Sequence, residues 1–292
     1  MKFCKYLALA ACSWALAACD SDDVLDDLGN VPPASDAKLP SRLFVLCEGL
    51  MGSNTANLEY LDAGSRIILT NTFGANRIAL RGSGYQVKEI VSTGVALTRE
   101  ALAGRAKTAF SVGPLPILLE PYGDLSAEDA YEIFDEQISA GVSEKPDVIV
   151  LQTFMDLEML LIALRAAVKH DLPIFTMMTF TEVGKTMMGN SVQDFVAGVK
   201  EFPVEAIGLN CSLGPDKAVP VIGQFRQYTD LPLLFKPNAG KPISDGINDG
   251  VEYDVQTFVN DSLPALECDV RYIGGCCGTD PSYIRALRSA LQ

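Results

Sequence analysis

The sequence has little histidine and too few positive charges to balance its negative ones. Its 292 residues include one histidine, His170, and 23 lysines and arginines against 37 aspartates and glutamates, for a formal net charge of -14. This charge repels phosphate backbones and anionic lipid surfaces, so no nucleic-acid partner is expected. One histidine excludes a metal site built from several imidazoles and confines any Ser-His-Asp triad to that residue. Chemistry is therefore expected from carboxylates, thiols or amides.

The composition otherwise favours a globular α/β protein. Hydrophobic residues make up 48% of the chain and charged residues 21%, which excludes a wholly disordered, collagen-like or coiled-coil chain. No internal repeat or second domain boundary is evident. No Gly-x-Gly-x-x-Gly turn follows the first predicted strand, which argues against a dinucleotide-binding sheet.

The N-terminus reads as a bacterial export signal. Lys2 and Lys5 precede an apolar run over 6–18 that is too short to span a membrane, and Leu-Ala-Ala-Cys at 16–19 resembles the lipobox of lipoproteins. We therefore predict a signal segment at 1–19, lipidation of Cys19, a disordered acidic tether at 20–40 and a folded domain at 41–292. Membrane contact is then expected only through the lipid anchor. The alternative is a cytoplasmic protein with a misassigned start or an apolar tail.

From residue 41 onward, short apolar runs rich in branched residues alternate with amphipathic stretches, including predicted helices over 126–140 and 155–169. This alternation predicts parallel strands joined by crossover helices. Eight such runs in about 250 residues match a single (β/α)8 TIM barrel, with an open doubly wound sheet as the alternative. The strands are predicted at 42–47, 67–70, 109–112, 148–151, 174–178, 206–209, 233–236 and 271–273.

Three cysteines directly follow predicted strands. Cys211 comes after the sixth strand, and Cys276 and Cys277 come after the eighth among glycines. In a barrel these positions converge at the carboxyl-terminal mouth, where three thiolates and one open position suit a catalytic Zn²⁺. The alternative is that Cys211 is a small core residue and the adjacent pair belongs to a glycine-rich turn. Cys268 is interpreted as a core residue.

Three motifs occur in order: Gly-Leu-Asn-Cys-Ser-Leu-Gly-Pro at 208–215, Lys-Pro-Asn-Ala-Gly at 236–240 and Gly-Gly-Cys-Cys-Gly-Thr at 274–279. Together they resemble the homocysteine-binding domain of the zinc-dependent homocysteine S-methyltransferases. This family includes betaine-homocysteine methyltransferase and the N-terminal module of cobalamin-dependent methionine synthase. With the segments 70–76 and 119–123, the chain is most similar to the methionine synthase module.

The resemblance implies a site and a reaction. Cys211, Cys276 and Cys277 would hold zinc, with Asn238 as the fourth ligand in the absence of substrate. The implied reaction moves a methyl group to the thiol of homocysteine and forms methionine. Zinc coordination deprotonates a thiol whose ordinary pKa is about 8.5, so no histidine base is needed.

Two positions depart from the family's pattern. Members generally carry Asp after the first strand and Glu after the fourth, the latter contacting the substrate's amino group, whereas this sequence has Glu48 and Gln152. Gln152 gives up a charged acceptor worth about 1.5 to 3 kcal/mol, so a glutamate there is expected to bind an ammonium group more tightly. Gly49 and Asn71 are predicted to shape the pocket for the substrate carboxylate and thiol, or alternatively to serve as turn residues.

The methyl donor is not indicated by any motif. His170 does not lie in an Asp-x-His-x-x-Gly pattern of the corrinoid-binding kind, and we expect no folate or corrinoid module in this chain. A methyl-corrinoid on a separate protein is the expected donor, with S-methylmethionine or betaine as alternatives. A second hypothesis is a membrane-tethered zinc or thiol-amino-acid binding protein without turnover. Glu48, Gln152 and the export signal motivate it.

Overall fold

The protein is described by a computed structural model over residues 44–48, 54–240, 242–244 and 249–292. Within these residues eight parallel strands close into a barrel, each strand bonded to two neighbours. The predicted (β/α)8 barrel is confirmed, and the open doubly wound sheet is excluded. The barrel strands are β1 (Phe44–Glu48), β2 (Ile67–Leu69), β3 (Lys107–Val112), β4 (Val148–Phe154), β5 (Ile174–Met178), β6 (Ala206–Asn210), β7 (Leu233–Lys236) and β10 (Val270–Gly274).

Several helices begin where the sequence supplies a capping side chain. Ser126 accepts a hydrogen bond from the Asp129 amide, and Asp156 accepts one from the Glu158 amide, which satisfies backbone donors of the first turn. Both predicted helices are confirmed to within a few residues. The helices are α1 (Asn54–Asp62), α2 (Val87–Leu102), α3 (Ala127–Val142), α4 (Leu157–Ala167), α5 (Val192–Val199), α6 (Pro215–Phe225), α7 (Val255–Ser262) and α8 (Pro281–Ala290), with a 3-10 helix at Leu263–Cys268.

Two apolar cores follow from the alternation of side chains along each strand. The larger core combines strand and helix residues, so it lies between the barrel and its helices. The buried members of the smaller core come from strands only, so this core fills the barrel interior. They are Ile67, Leu69, Ala109, Val148, Val150, Phe175, Met177, Ala206 and Leu234.

Towards the carboxyl ends of the strands, the interior becomes polar. Ser111, Gln152 and Lys236 each lie two residues beyond an apolar interior position on the same strand, and Asn210 ends β6 with the same parity. All four side chains are fully buried. This polar layer (Ser111, Gln152, Asn210 and Lys236) forms the floor of the barrel mouth.

An antiparallel hairpin, β8 (Pro242–Ser244) and β9 (Asp249–Val251), follows β7 and was not predicted. Strands of three residues are too short for periodicity to reveal. The predicted signal segment, the tether and Gly49 lie outside the described residues. None of the described helices has the length and hydropathy of a membrane span.

Candidate metal centre

The three predicted cysteines meet at the carboxyl ends of β6 and β10. Cys211 directly follows β6, and Cys276 and Cys277 lie in the turn after β10. Their Sγ atoms all lie within 4.8 Å of one another, and those of Cys211 and Cys277 are 3.6 Å apart. Tetrahedral Zn–S bonds of about 2.3 Å place two sulfur atoms about 3.8 Å apart. The thiols are therefore spaced as ligands of one zinc ion.

Backbone hydrogen bonds fix the cysteines against β7. The Cys211 amide donates to the Lys236 carbonyl at 3.1 Å, and the Cys276 amide donates to the Pro237 carbonyl at 2.9 Å. Cys211 and Ser212 have φ values of 63° and 64°, a left-handed conformation that non-glycine residues adopt at a cost of about 1 kcal/mol or more each. The surrounding bonds hold this turn in place, and it turns the chain sharply after β6.

Asn238 supplies an unsatisfied oxygen beside the cysteine turn. Its Oδ1 atom is buried and has no hydrogen-bond partner among the described residues. The amide of the next residue, Ala239, donates to the Cys277 carbonyl at 2.9 Å, which ties this segment to the cysteines. A buried carbonyl oxygen without a partner is costly and is typically explained by an ion or water. Three sulfur atoms and this oxygen fit the four ligands of a zinc site.

The three thiols share their protons unequally. Hydrogen bonds from Cys211 and then Cys277 hold the pKa of Cys276 well below its ordinary value, with further contributions from the Lys236 charge and the Asn210 amide. The hydrogen bond to Cys276 raises the pKa of Cys211 to about 12, and hydrogen bonds to Cys211 and Cys276 raise the pKa of Cys277. Cys276 is therefore the thiol of the three that loses its proton most readily.

The polar layer lies directly beneath the cysteines. Gln152 Nε2 donates to Ser111 Oγ at 2.9 Å, and Gln152 Oε1 accepts from Lys236 Nζ at 3.0 Å. Asn210 Nδ2 donates to Thr153 Oγ1 at 2.7 Å and lies 3.6 Å from Cys276 Sγ. Asn210 thus connects the floor to the sulfur cluster. Of this layer, only Gln152 was predicted from the sequence. Ser111, Asn210 and Lys236 could have been found by continuing the alternation of interior residues to the ends of β3, β6 and β7.

The other predicted pocket residues differ in what the structure shows. Asn71 is exposed in the loop after β2, and its neighbours Thr70 and Thr72 tie that loop to β3 through Ser111. Glu48 ends β1, and its side chain is not among those that the structure describes. Cys268 is half-buried in the 3-10 helix, apart from the thiol cluster, as its interpretation as a packing residue requires.

Comparison with known proteins decides the family. The sequence model described as homocysteine S-methyltransferase matches residues 54–291. The chain belongs to the homocysteine S-methyltransferase family. This confirms the resemblance drawn from the three motifs.

Relatives of this family member include two methionine synthases. Those of Mycobacterium leprae and Mycobacterium tuberculosis are each 26% identical to it, over 298 and 293 residues. Each alignment covers 93% of this chain but 23% of the relative. The chain thus spans about a quarter of the length of the curated relatives it matches.

Solved structures of this family share the fold. The metallated form of the homocysteine methyltransferase MmuM from Escherichia coli superposes with a TM-score of 0.71 at 19% identity, covering 86% of this chain and 97% of that one. Its apo form gives a TM-score of 0.66 at 21% identity, covering 86% and 96%. At this identity the comparison supports the barrel fold alone.

Proposed function

We propose that this protein is a zinc-dependent methyltransferase that moves a methyl group to the thiol of homocysteine and forms methionine. The observation that carries the proposal is the cluster of Cys211, Cys276 and Cys277 beside the unsatisfied Asn238 oxygen, in a barrel of the homocysteine S-methyltransferase family. Bound zinc would supply the Lewis acidity that keeps the substrate sulfur deprotonated at neutral pH.

Asn238 and His170 bear on how a substrate thiol would bind at the cluster and lose its proton. Asn238 would offer a zinc ion a neutral oxygen, which the cation attracts less strongly than the three thiolates, so it is the ligand whose place a substrate thiol would take most easily. His170 follows α4 and leads into the start of β5, so it lies at the amino-terminal face, opposite the cysteines. No imidazole among the described residues therefore takes the thiol proton at the cluster.

The methyl transfer needs no external oxidant or reductant. The substrate sulfur donates a lone pair to the methyl carbon and forms the S–CH₃ bond. The bond between the methyl group and its donor breaks, and the donor keeps that electron pair. A methyl-corrinoid leaves as its Co(I) form, whereas a sulfonium donor leaves as a thioether.

The loops on one side of the mouth expose apolar side chains. They follow β3, β4 and β5, which are neighbours in the barrel. Exposed apolar surface next to a reaction site is typical of a protein contact, which supports a methyl group carried by a separate corrinoid protein. The side chains are Leu118, Tyr122, Met155, Val183 and Met187, between 42% and 77% exposed.

Methionine formation tests the proposed function. Zinc-loaded protein should convert homocysteine to methionine with free methylcobalamin, S-methylmethionine or betaine as donor. Chelation of the metal should remove the activity, and added zinc should restore it. Homocysteine binding without methionine formation from any of these donors or from a methylated corrinoid protein would favour the binding protein without turnover.

We also propose that the protein is a lipoprotein cleaved before Cys19. Lys2, Lys5 and the apolar run over 6–18 support it, and a tether of about twenty residues would hold a barrel of charge -14 away from an anionic surface. Intact-mass analysis of protein from the native host should show a lipidated chain that begins at Cys19, recovered with membranes. An unmodified, soluble chain that begins at Met1 would place the protein in the cytoplasm.

A further inference from the structure

Lys236 is a lysine whose side chain is fully buried in the floor of the mouth. Its ammonium group donates to Gln152 Oε1 at 3.0 Å, and Gln152 donates onward to Ser111 Oγ at 2.9 Å. The Gln152 amide and the Ser111 hydroxyl are both neutral groups. The ion pairs formed between described residues all involve partly exposed side chains, and none includes Lys236. The floor therefore carries a positive charge that no described carboxylate balances and that also stabilises the thiolate form of Cys276.

This arrangement changes what position 152 offers a substrate. The oxygen of Gln152 already accepts a hydrogen bond from a cation, so it is a poor acceptor for a second ammonium group. A buried charge strongly favours an opposite charge in its vicinity, because little water is present to screen it. An ammonium has three donor hydrogens, and Lys236 uses one of them on Gln152. The floor is therefore suited to an anionic group.

Asn210 connects the floor that holds Lys236 to the sulfur cluster. Lys236 pairs with Asn210 across β6 and β7, and Asn210 Nδ2 lies 3.6 Å from Cys276 Sγ. Neighbouring strands are about 4.8 Å apart, so Lys236 and the cysteines are carried by adjacent strands of the same barrel mouth. A thiol bound at the cysteines can thus direct its carboxylate towards Lys236.

We propose that Gln152 and Lys236 are specificity-determining residues that select the substrate by its carboxylate and not by its ammonium group. The proposal rests on the proposed function and narrows its substrate class to thiols with a carboxylate three carbons from the sulfur. Homocysteine belongs to this class, but its amino group becomes dispensable. It also reverses the expectation drawn from sequence for Gln152→Glu, because a carboxylate there forms an ion pair with Lys236 and leaves less positive charge for the substrate.

Thiol binding to the Co²⁺-loaded protein tests this proposal independently of turnover. Sulfur ligation changes the visible spectrum of the metal, so titration gives a Kd for homocysteine, 4-mercaptobutanoate and 3-aminopropane-1-thiol. We expect 4-mercaptobutanoate, which lacks the ammonium group, to bind within about threefold of homocysteine. The amine, which lacks the carboxylate, should bind about thirtyfold more weakly, as expected for loss of a charge-assisted contact. The reverse order of the two analogues would overturn the proposal.

Two variants test the roles of Lys236 and Gln152 separately. Lys236→Met preserves an unbranched side chain and removes the charge, so the Kd of 4-mercaptobutanoate should rise about tenfold while that of the amine stays the same or falls. Gln152→Glu should shift both values in the same directions without removing the lysine, and it serves as the test if Lys236→Met fails to fold. Lys88→Met, on the exposed surface of α2, is the matched control and should change neither value.

The outcomes distinguish failure of the specificity proposal from failure of the proposed function on which it rests. If no thiol changes the cobalt spectrum of the wild-type protein, the proposed function fails. If thiols ligate the metal but Lys236→Met and Gln152→Glu leave the preference between the two analogues unchanged, only the specificity proposal fails. Metal content measured on each variant shows whether an altered Kd reflects the thiol pocket or loss of the metal.

Discussion

Cys276→Ala should release zinc and abolish methyl transfer while the barrel stays folded. Cys276 is the thiol of the cluster whose pKa is lowered, whereas the pKa values of the other two are raised, and the alanine variant retains two thiols, which cannot form the three-sulfur site. Removing partners that only support a metal ligand already lowers affinity or activity about 10- to 100-fold, so removing a ligand should lower methionine formation by more than about 100-fold. Zinc per chain, measured after dialysis against a chelator, should fall from about one to near zero.

Cys268→Ala is the matched control for this experiment. Cys268 is a free, half-buried cysteine in the 3-10 helix and does not belong to the cluster, so its removal should leave zinc content and activity unchanged. Cys211→Ala and Cys277→Ala should behave like Cys276→Ala. Full metal content in the Cys276→Ala and Cys277→Ala proteins would refute the zinc assignment.

The barrel could be predicted from the sequence because each strand is a local apolar pattern. The run at 233–236 coincides with β7, and all eight predicted runs overlap barrel strands. β4 extends three residues beyond its predicted end, to Phe154. The prediction stopped there because Gln152 and Thr153 are polar, and polarity is an ordinary sign of a strand end. In this protein the polar residues lie inside the barrel mouth, so the strand continues through them.

The cysteine cluster could also be predicted, since barrel topology alone brings strand ends together. The contact between Gln152 and Lys236 could not be predicted from the sequence. Lys236 lies 84 positions away along the chain, and a lysine that ends a strand is ordinarily exposed. Lys236 lies in the interior because side chains alternate along β7, and the barrel is closed, so the face that carries Leu234 and Lys236 points inward. Asn71 lies in the loop after β2 with an exposed side chain, so its role in shaping the pocket stays a prediction.

Gly208→Ala should destabilise the whole barrel. Gly208 lies on β6 opposite Leu234 of β7, and a Cβ atom at this position would lie 1.9 Å from the Leu234 carbonyl oxygen. Since that neighbour is backbone, the two strands themselves must separate. Overpacking of this kind typically costs about 1 to 3 kcal/mol. At about 2 to 4 °C per kcal/mol, the Tm should fall by up to about 12 °C.

The same separation should weaken the metal site, because β6 leads into Cys211 and β7 leads into Asn238. Thermal unfolding followed by circular dichroism, together with the zinc Kd, measures both effects. Gly223→Ala, in α6, is the control: its new Cβ atom would lie 3.5 Å from Cys268 Sγ, an ordinary contact. Alanine is a better helix former than glycine by about 1 kcal/mol, so Gly223→Ala should raise the Tm slightly and leave zinc binding unchanged. If Gly208→Ala unfolds at the wild-type temperature and binds zinc as tightly, the close approach of β6 to β7 does not hold the cysteines in place.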